Sequence, residues 1–181
     1  MLRLVLPLLL TAATLPEAMP DDPVLRTLLE GEAAQAAGDG AALLDTAQVL
    51  KALGATPAEG QQDLAALWTQ EAEARGVTKS ALGFRGRALG PAYHRGALNA
   101  GDKVILRQLF LAGQRAQISV APAGRAKLSV RVQDAGGSTL CQKDVGGPQA
   151  DCAWMPLFTD RYAIVIENGG ASPAAFYLIM K

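Results

Sequence analysis

The fold is decided by residues 109–141, which read LFLAGQRAQISVAPAGRAKLSVRVQDAGGSTLC. Apolar side chains recur there at every second position, first at Ala116, Ile118 and Val120 and then at Leu128, Val130 and Val132. A period of two places apolar residues on one face of a β-strand and polar residues on the other. Glycines interrupt the runs at intervals typical of turns. The stretch therefore predicts antiparallel strands that each bury one face.

Similar runs of β-forming residues lie on both sides of this stretch. The six predicted strands span residues 103–111, 116–121, 127–134, 139–143, 161–167 and 174–180. Glycine and proline recur between them too often for long helices. The final third of the chain thus predicts an antiparallel, jelly-roll-like β-sandwich over residues 103–181.

Residues 21–76 instead show the apolar spacing of helices. Asp22 and Pro23 predict a helix start, because the aspartate accepts from free backbone amides and proline fits the first turn. A second helix is predicted over residues 41–53, with Gly54 ending it at a positive φ. A third is predicted to follow a capping box at residues 56–59 and to run to about residue 75. We expect these helices to form a cap on the sandwich, so the predicted fold class is α+β.

The first two helices also look like one tetratricopeptide-type hairpin. Such repeats bind peptides as arrays, and a continuous core needs about three units. The sequence offers one. A peptide-binding groove in residues 21–76 is therefore a minor hypothesis beside the helical cap.

Residues 77–102 connect the two halves and are rich in glycine and arginine. The candidate binding residues in this connector are Arg85, Arg87, Tyr93, His94 and Arg95. Arginine binds a carboxylate or phosphate through two parallel hydrogen bonds, and glycines let backbone amides approach an anion. The segment predicts either an anion or partner contact, or a loop across a sheet whose arginines are solvated or paired with carboxylates. The Walker spacing is absent, so no nucleotide site is predicted.

Residues 1–18 have the features of a signal peptide. Arg3 gives a positive start, an apolar run covers residues 4–10, and small residues follow where a signal peptidase reads. Cleavage is expected after Ala13 or Ala18. The apolar run is about half of the roughly 20 residues that a spanning helix needs, and no later stretch is long enough. We expect a periplasmic or secreted protein without stable membrane insertion after cleavage.

The two cysteines agree with export. Cys141 and Cys152 bracket a polar loop, and an oxidising compartment joins such pairs. On the chain-entropy model the bond stabilises the fold by about 3 kcal/mol. A metal site is a weaker alternative, because the spacing is not that of a C-x-x-C knuckle and His94 is the one histidine. A redox pair lacks the C-x-x-C motif as well.

The final third resembles the bacterial pre-peptidase C-terminal domain, a jelly-roll-like β-sandwich commonly appended to exported proteins. The matching residues are Phe110, Gly113, Gln114, Leu128, Val130, Val132, Asp134, Ala135, Gly136, Pro156, Thr159, Tyr162, Ile164, Ile166, Asn168, Tyr177 and Ile179. Asp160 departs from the pattern, since the family often has glycine there. The resemblance covers residues 103–181 and implies a non-catalytic accessory or binding module.

Composition excludes several classes of function. Seventeen Lys and Arg balance seventeen Asp and Glu, so the basic face that nucleic acid requires is not expected. A Ser-His-Asp site would have to use His94, and no serine lies in a Gly-x-Ser-x-Gly elbow. Catalytic residues, a metal and a cofactor are therefore not predicted, and the protein is predicted not to be an enzyme.

The function expected from these observations is an exported accessory module that binds a protein or an envelope component. The alternative is a carbohydrate- or calcium-binding β-sandwich. In the alternative, Trp154 would stack on a sugar ring. Calcium would be held near the disulfide loop by Asp134, Asp144 and Asp151, although the D-x-D-x-D-G loop is absent.

Overall fold

The computed structural model describes residues 18–78 and 90–181. Three helices precede the main strands: α1 (Pro23–Ala37), α2 (Gly40–Ala52) and α3 (Leu64–Ala74). In these two ranges the strands are β1 (Thr56–Pro57), β2 (Ala92–Leu98), β3 (Lys103–Phe110), β4 (Ala116–Ala123), β5 (Leu128–Gln133), β6 (Thr139–Val145), β7 (Ala150–Trp154), β8 (Asp160–Asn168) and β9 (Ala174–Met180). The predicted α+β class is confirmed. The predicted signal peptide lies outside the described residues, apart from Ala18.

Each helix begins after an aspartate whose side chain accepts backbone hydrogen bonds. Asp22 accepts from two amides of the first turn of α1, and Asp39 and Asp63 do the same for one amide each in α2 and α3. These bonds satisfy amides that have no partner within the helix. Gly54 has the predicted positive φ, at 68°.

The predicted capping box at residues 56–59 is wrong. Thr56 and Pro57 form the short strand β1, which pairs in parallel with the start of β2. The Thr56 amide donates to the Pro91 carbonyl, and the Ala58 amide donates to the Tyr93 carbonyl. Because these residues hydrogen-bond to a distant strand, α3 begins later, after Asp63.

The strands form two sheets. The five-stranded sheet has the order β1-β2-β9-β4-β7, and the four-stranded sheet has the order β3-β8-β5-β6. In both sheets, every pair of neighbouring strands except β1 with β2 is antiparallel. The two sheets stack as a β-sandwich, as the sequence predicted.

Helices, five-stranded sheet and four-stranded sheet make three layers. Along β9, Phe176 and Leu178 face the core between the two sheets, whereas Tyr177 and Ile179 face the helices. The helices add Trp68, which is 1% exposed, to the second core. Both faces of the five-stranded sheet are therefore buried, and the expected helical cap is packed on the sandwich.

The structure places a strand where the sequence suggested a connecting loop. Within residues 77–102, β2 runs antiparallel to β9, with Ala92 opposite Met180 and Leu98 opposite Ala174. The five-stranded sheet therefore contains two strands, β1 and β2, that precede residue 103. Gly96 is needed in β2 because a Cβ there would lie 2.3 Å from the Phe176 ring.

Candidate functional site

The candidate binding residues of the connector do not all lie together, because successive residues of a β-strand point to opposite faces. Tyr93 and Arg95 lie on the face of β2 that meets the helices, and His94 lies on the opposite face. Arg85 and Arg87 lie outside the described residues, so their contact with an anion or partner stays a prediction.

Tyr93 supports the start of a helix. Its hydroxyl accepts a hydrogen bond from the Leu64 amide at 2.8 Å and donates to the Gln62 carbonyl at 3.4 Å. Leu64 is the first residue of α3, so the hydroxyl satisfies one of the amides that a helix leaves free. Burial raises the pKa of Tyr93 to about 12. This side chain is occupied within the fold.

His94 and Arg95 are also engaged by the fold. The His94 ring stacks on Phe176 with the centroids 6.1 Å apart, and burial lowers the pKa of His94. Arg95 forms an ion pair with Glu32 of α1, and its guanidinium lies 6.0 Å from the centre of the Tyr177 ring. Arg95 thus follows the second expectation for the connector, an arginine paired with a carboxylate.

The cysteines form the predicted disulfide. Cys141 of β6 is bonded to Cys152 of β7, with the two Cα atoms 6.0 Å apart. These strands are edge strands of different sheets, so the bond joins the two layers of the sandwich. Disulfides are typical of proteins outside the cytoplasm.

The alternative ligand sites have no assembled geometry. In residues 18–78 and 90–181, no group of three His, Cys, Asp or Glu could hold a metal ion. The Asp134 carboxylate accepts the Ser138 amide inside its own turn. The Trp154 ring is partly buried and packs edge-on against Phe110, at 4.8 Å between centroids, beside the core of the sandwich.

The feature that stands out is an exposed apolar surface at one end of the sandwich, which we call the apolar tip. It consists of Leu109, Leu111, Met155, Leu157 and Phe158, from the end of β3, the β3–β4 loop and the β7–β8 loop. Leu157 is 80% exposed and Phe158 is 75% exposed. Exposed apolar side chains grouped on neighbouring loops are typical of interaction surfaces.

The two loops of the apolar tip are fixed to each other. The Gly113 amide donates to the Pro156 carbonyl at 2.9 Å, and the Ala112 amide donates to the Thr159 hydroxyl at 3.0 Å. The Tyr162 hydroxyl donates to the Phe158 carbonyl at 3.4 Å. The exposed side chains are therefore carried by hydrogen-bonded loops.

An aromatic cluster lies directly behind the tip. Phe110, Trp154 and Tyr162 contact one another, with ring centroids between 4.8 and 5.9 Å apart. Phe110 and Trp154 each precede a residue of the tip in the chain. Packed aromatic rings have few alternative positions, so the cluster anchors both loops.

Three arginines border the apolar tip. Arg161 is the strand partner of Leu109, and Arg107 lies two residues from Leu109 on the same exposed face of β3. Arg115 lies in the β3–β4 loop and lines a cleft of about 520 Å³ together with Leu109 and Leu111. Asp160 is the acidic residue beside Arg161.

Sequence reasoning did not identify this surface. Residues 155–158 read MPLF, and an apolar run does not reveal whether it is buried or exposed. The available signal was the lack of alternation: the run follows Trp154 without polar spacing and contains a proline. Such a run is more typical of a loop than of a strand with one solvent-exposed face.

A larger cleft, of about 1110 Å³, opens at the opposite end of the sandwich. It lies between α1, the β4–β5 loop and the β6–β7 loop. Its lining consists mostly of small residues and contains no aromatic, histidine or cysteine side chain among the described residues. The cleft also has five charged residues in its lining, Glu32, Arg125, Lys127, Asp144 and Glu167, of which Glu32 is paired with Arg95.

Comparisons with known proteins give similar solved structures. Yersinia pseudotuberculosis-derived mitogen is 12% identical with a TM-score of 0.44, over 51% of this chain and 85% of that one. The pre-peptidase C-terminal domain of Bacillus anthracis collagenase is 12% identical with a TM-score of 0.45, over 50% and 89%. A periplasmic inhibitor of g-type lysozyme from Aeromonas hydrophila is 18% identical with a TM-score of 0.37, over 50% and 86%.

No protein-family model matches the chain, and neither does any curated protein. The chain contains the β-sandwich that the resemblance to the pre-peptidase C-terminal domain implies, and such a domain is among the similar solved structures. In the part of the chain that the structure describes, no helix is long and apolar enough to cross a membrane.

Proposed function

We propose that this protein is an exported, non-catalytic accessory module that binds a protein or envelope component through the apolar tip. The observation that carries the proposal is the exposure of Leu157 and Phe158 on loops that are hydrogen-bonded to each other. Its location is periplasmic or secreted, which the disulfide supports.

The energetics favour a role for these side chains in binding. Burying a leucine or phenylalanine side chain is worth about 1.5–3 kcal/mol relative to leaving it in water. The folded chain gains little of this from Leu157 or Phe158, which are 80% and 75% exposed. A partner that covers both gains it on association, at little ordering cost, because the loops are already held in place.

The state of His94 favours a non-catalytic function. It is the one histidine of the chain, and its ring is stacked on Phe176. A general base must be free to reach a reacting group, whereas this ring is partly buried and in contact with Phe176. The carbohydrate alternative would need an exposed aromatic platform at Trp154, and that ring is packed against Phe110 and Tyr162.

Site-specific photo-crosslinking in the producing cell tests the proposal. A photoreactive phenylalanine analogue is placed at Leu157 and, as a matched control, at Val49, an exposed apolar residue of α2. We expect an adduct at position 157 and none at position 49, and mass spectrometry identifies the class of molecule attached. Equal or absent labelling at both positions, with the disulfide intact by mass, would contradict the proposal.

A further inference from the structure

We propose that the occupant of the apolar tip is an anionic phospholipid surface, onto which the protein docks peripherally. This inference rests on the proposed function and adds to it the chemical class of the partner. Its basis is the combination of projecting apolar side chains with a border of arginines at one end of the molecule.

The apolar part of the surface suits a fluid acceptor. Leu157 and Phe158 are adjacent in one loop and both are mostly exposed, so they project from the end of the sandwich. Side chains of this kind bury themselves at the boundary between headgroups and acyl chains, and the binding strength scales with the apolar area that they bury. A bilayer needs no complementary pocket to receive them.

The positive charges around the apolar tip favour a lipid surface that is negatively charged. Arg107, Arg115 and Arg161 border the apolar residues, and Asp160 is the acidic side chain at the same strand end. The chain as a whole is neutral, so this excess of positive charge is local to the tip. Each arginine near an anionic membrane surface strengthens binding by about fivefold.

The neighbouring cleft gives one arginine a defined place. Arg115 lines the cleft of about 520 Å³ beside the tip, together with Leu109, Leu111, Pro91 and Lys181. Lys181 is already paired with Asp22, so Arg115 is the cation that we assign to a lipid phosphate at this position. A phosphate bound there would lie next to the apolar residues, as headgroups lie next to acyl chains.

Vesicle co-sedimentation of the protein purified from the producing cell tests this inference. One set of vesicles is pure phosphatidylcholine, and the other contains one part of phosphatidylglycerol to three parts of phosphatidylcholine. We expect binding to the anionic vesicles that weakens in roughly 0.5 M salt, where the Debye length falls to a few ångströms.

Two pairs of variants separate the tip from the rest of the molecule. Leu157→Ser/Phe158→Ser should weaken binding by about tenfold or more, while Val49→Ser, also at an exposed apolar residue, should leave it unchanged. Arg161→Gln should weaken binding by about fivefold. Lys103→Gln, at the opposite end of the same sheet, should have no effect.

The outcomes distinguish this inference from the proposed function. Binding to anionic vesicles that the tip variants lose and the controls keep supports it. Equal binding to both kinds of vesicle, binding that the tip variants retain, or no binding to either overturns it. If the protein does not bind the vesicles and position 157 still forms an adduct with a protein, the occupant is a protein and the proposed function stands. If both fail, both proposals fall.

Discussion

The close approach of α1 and α3 makes a strong prediction about Gly31. A Cβ at this position would lie 2.3 Å from two ring carbons of Trp68 and 2.8 Å from a third. Ordinary contacts between carbon atoms are about 3.5–4.0 Å, so the methyl group overlaps the ring by more than about 1 Å. Trp68 is 1% exposed and its indole N–H donates to Gln35 at 3.4 Å, so the ring has no free space to move into.

Two effects oppose each other in Gly31→Ala. Alanine favours the helix by about 1 kcal/mol over glycine. Overpacking a filled core costs about 1–3 kcal/mol, and overlap with three ring atoms places this site toward the upper end. We therefore expect the free energy of unfolding to fall by about 1–2 kcal/mol, measured by guanidinium titration with circular dichroism.

A second background tests the reasoning behind Gly31→Ala. In a Trp68→Leu variant the ring is absent, so adding Gly31→Ala should raise the free energy of unfolding by about 1 kcal/mol, the helix preference alone. The two backgrounds thus give opposite signs, and the difference measures the coupling between residues 31 and 68. Stabilisation by Gly31→Ala in the natural background would refute the close packing of α1 on α3.

Three further predictions concern the phenol of Tyr93 and the disulfide. Tyr93→Phe leaves the Leu64 amide without its acceptor, so we expect a loss of about 1–3 kcal/mol in the same titration. Burial raises the pKa of Tyr93 from 10 to about 12. The unfolded chain therefore loses the phenol proton at a lower pH than the folded chain does. Stability should therefore decline as pH rises from 10 to 12, and less steeply in Tyr93→Phe. Replacing Cys141 and Cys152 by serine opens a link between residues 11 positions apart, and thermal or denaturant unfolding should show a loss of about 3 kcal/mol.

The elements that could be predicted from the sequence are those determined by residues close together in the chain. The strand predicted over 174–180 has the same bounds in the structure, and Asp22 caps α1 as expected. In each case the deciding information lies within a few residues: alternation in the strand, and an oxygen acceptor beside free amides at the helix start. The Cys141–Cys152 bond was predictable for the same reason, since the two residues are close in the chain.

The elements that were missed depend on distant partners. β2 pairs with β9, about eighty residues away, and its glycine and arginine content resembles that of a loop. Thr56 has the form of a helix cap, yet its amide bonds to Pro91 and it becomes part of β1. The apolar tip is a further case, because the exposure of Leu157 and Phe158 follows from the positions of the sheets.

The layering of the fold explains why interaction should concentrate at the tip. Helices cover one face of the five-stranded sheet and the other sheet covers its second face, so that sheet offers no broad free surface. The outer face of the four-stranded sheet is mixed: the charged Lys103, Arg107 and Glu167 are exposed there beside the apolar Ile105. Water solvates the charged side chains of such a face, but it solvates the apolar side chains of Leu157 and Phe158 poorly.

A final prediction separates binding from stability at the tip. Because Leu157 and Phe158 are mostly exposed, serine at both positions removes few packing contacts, and we expect the free energy of unfolding to change by no more than about 0.5 kcal/mol at each position. Phe110→Ala, directly behind the tip, should instead cost about 3–5 kcal/mol, because that ring packs against Trp154 and Tyr162. A loss above about 2 kcal/mol in Leu157→Ser/Phe158→Ser would mean that these side chains stabilise the sandwich itself. Their exposure would then be no argument for a partner.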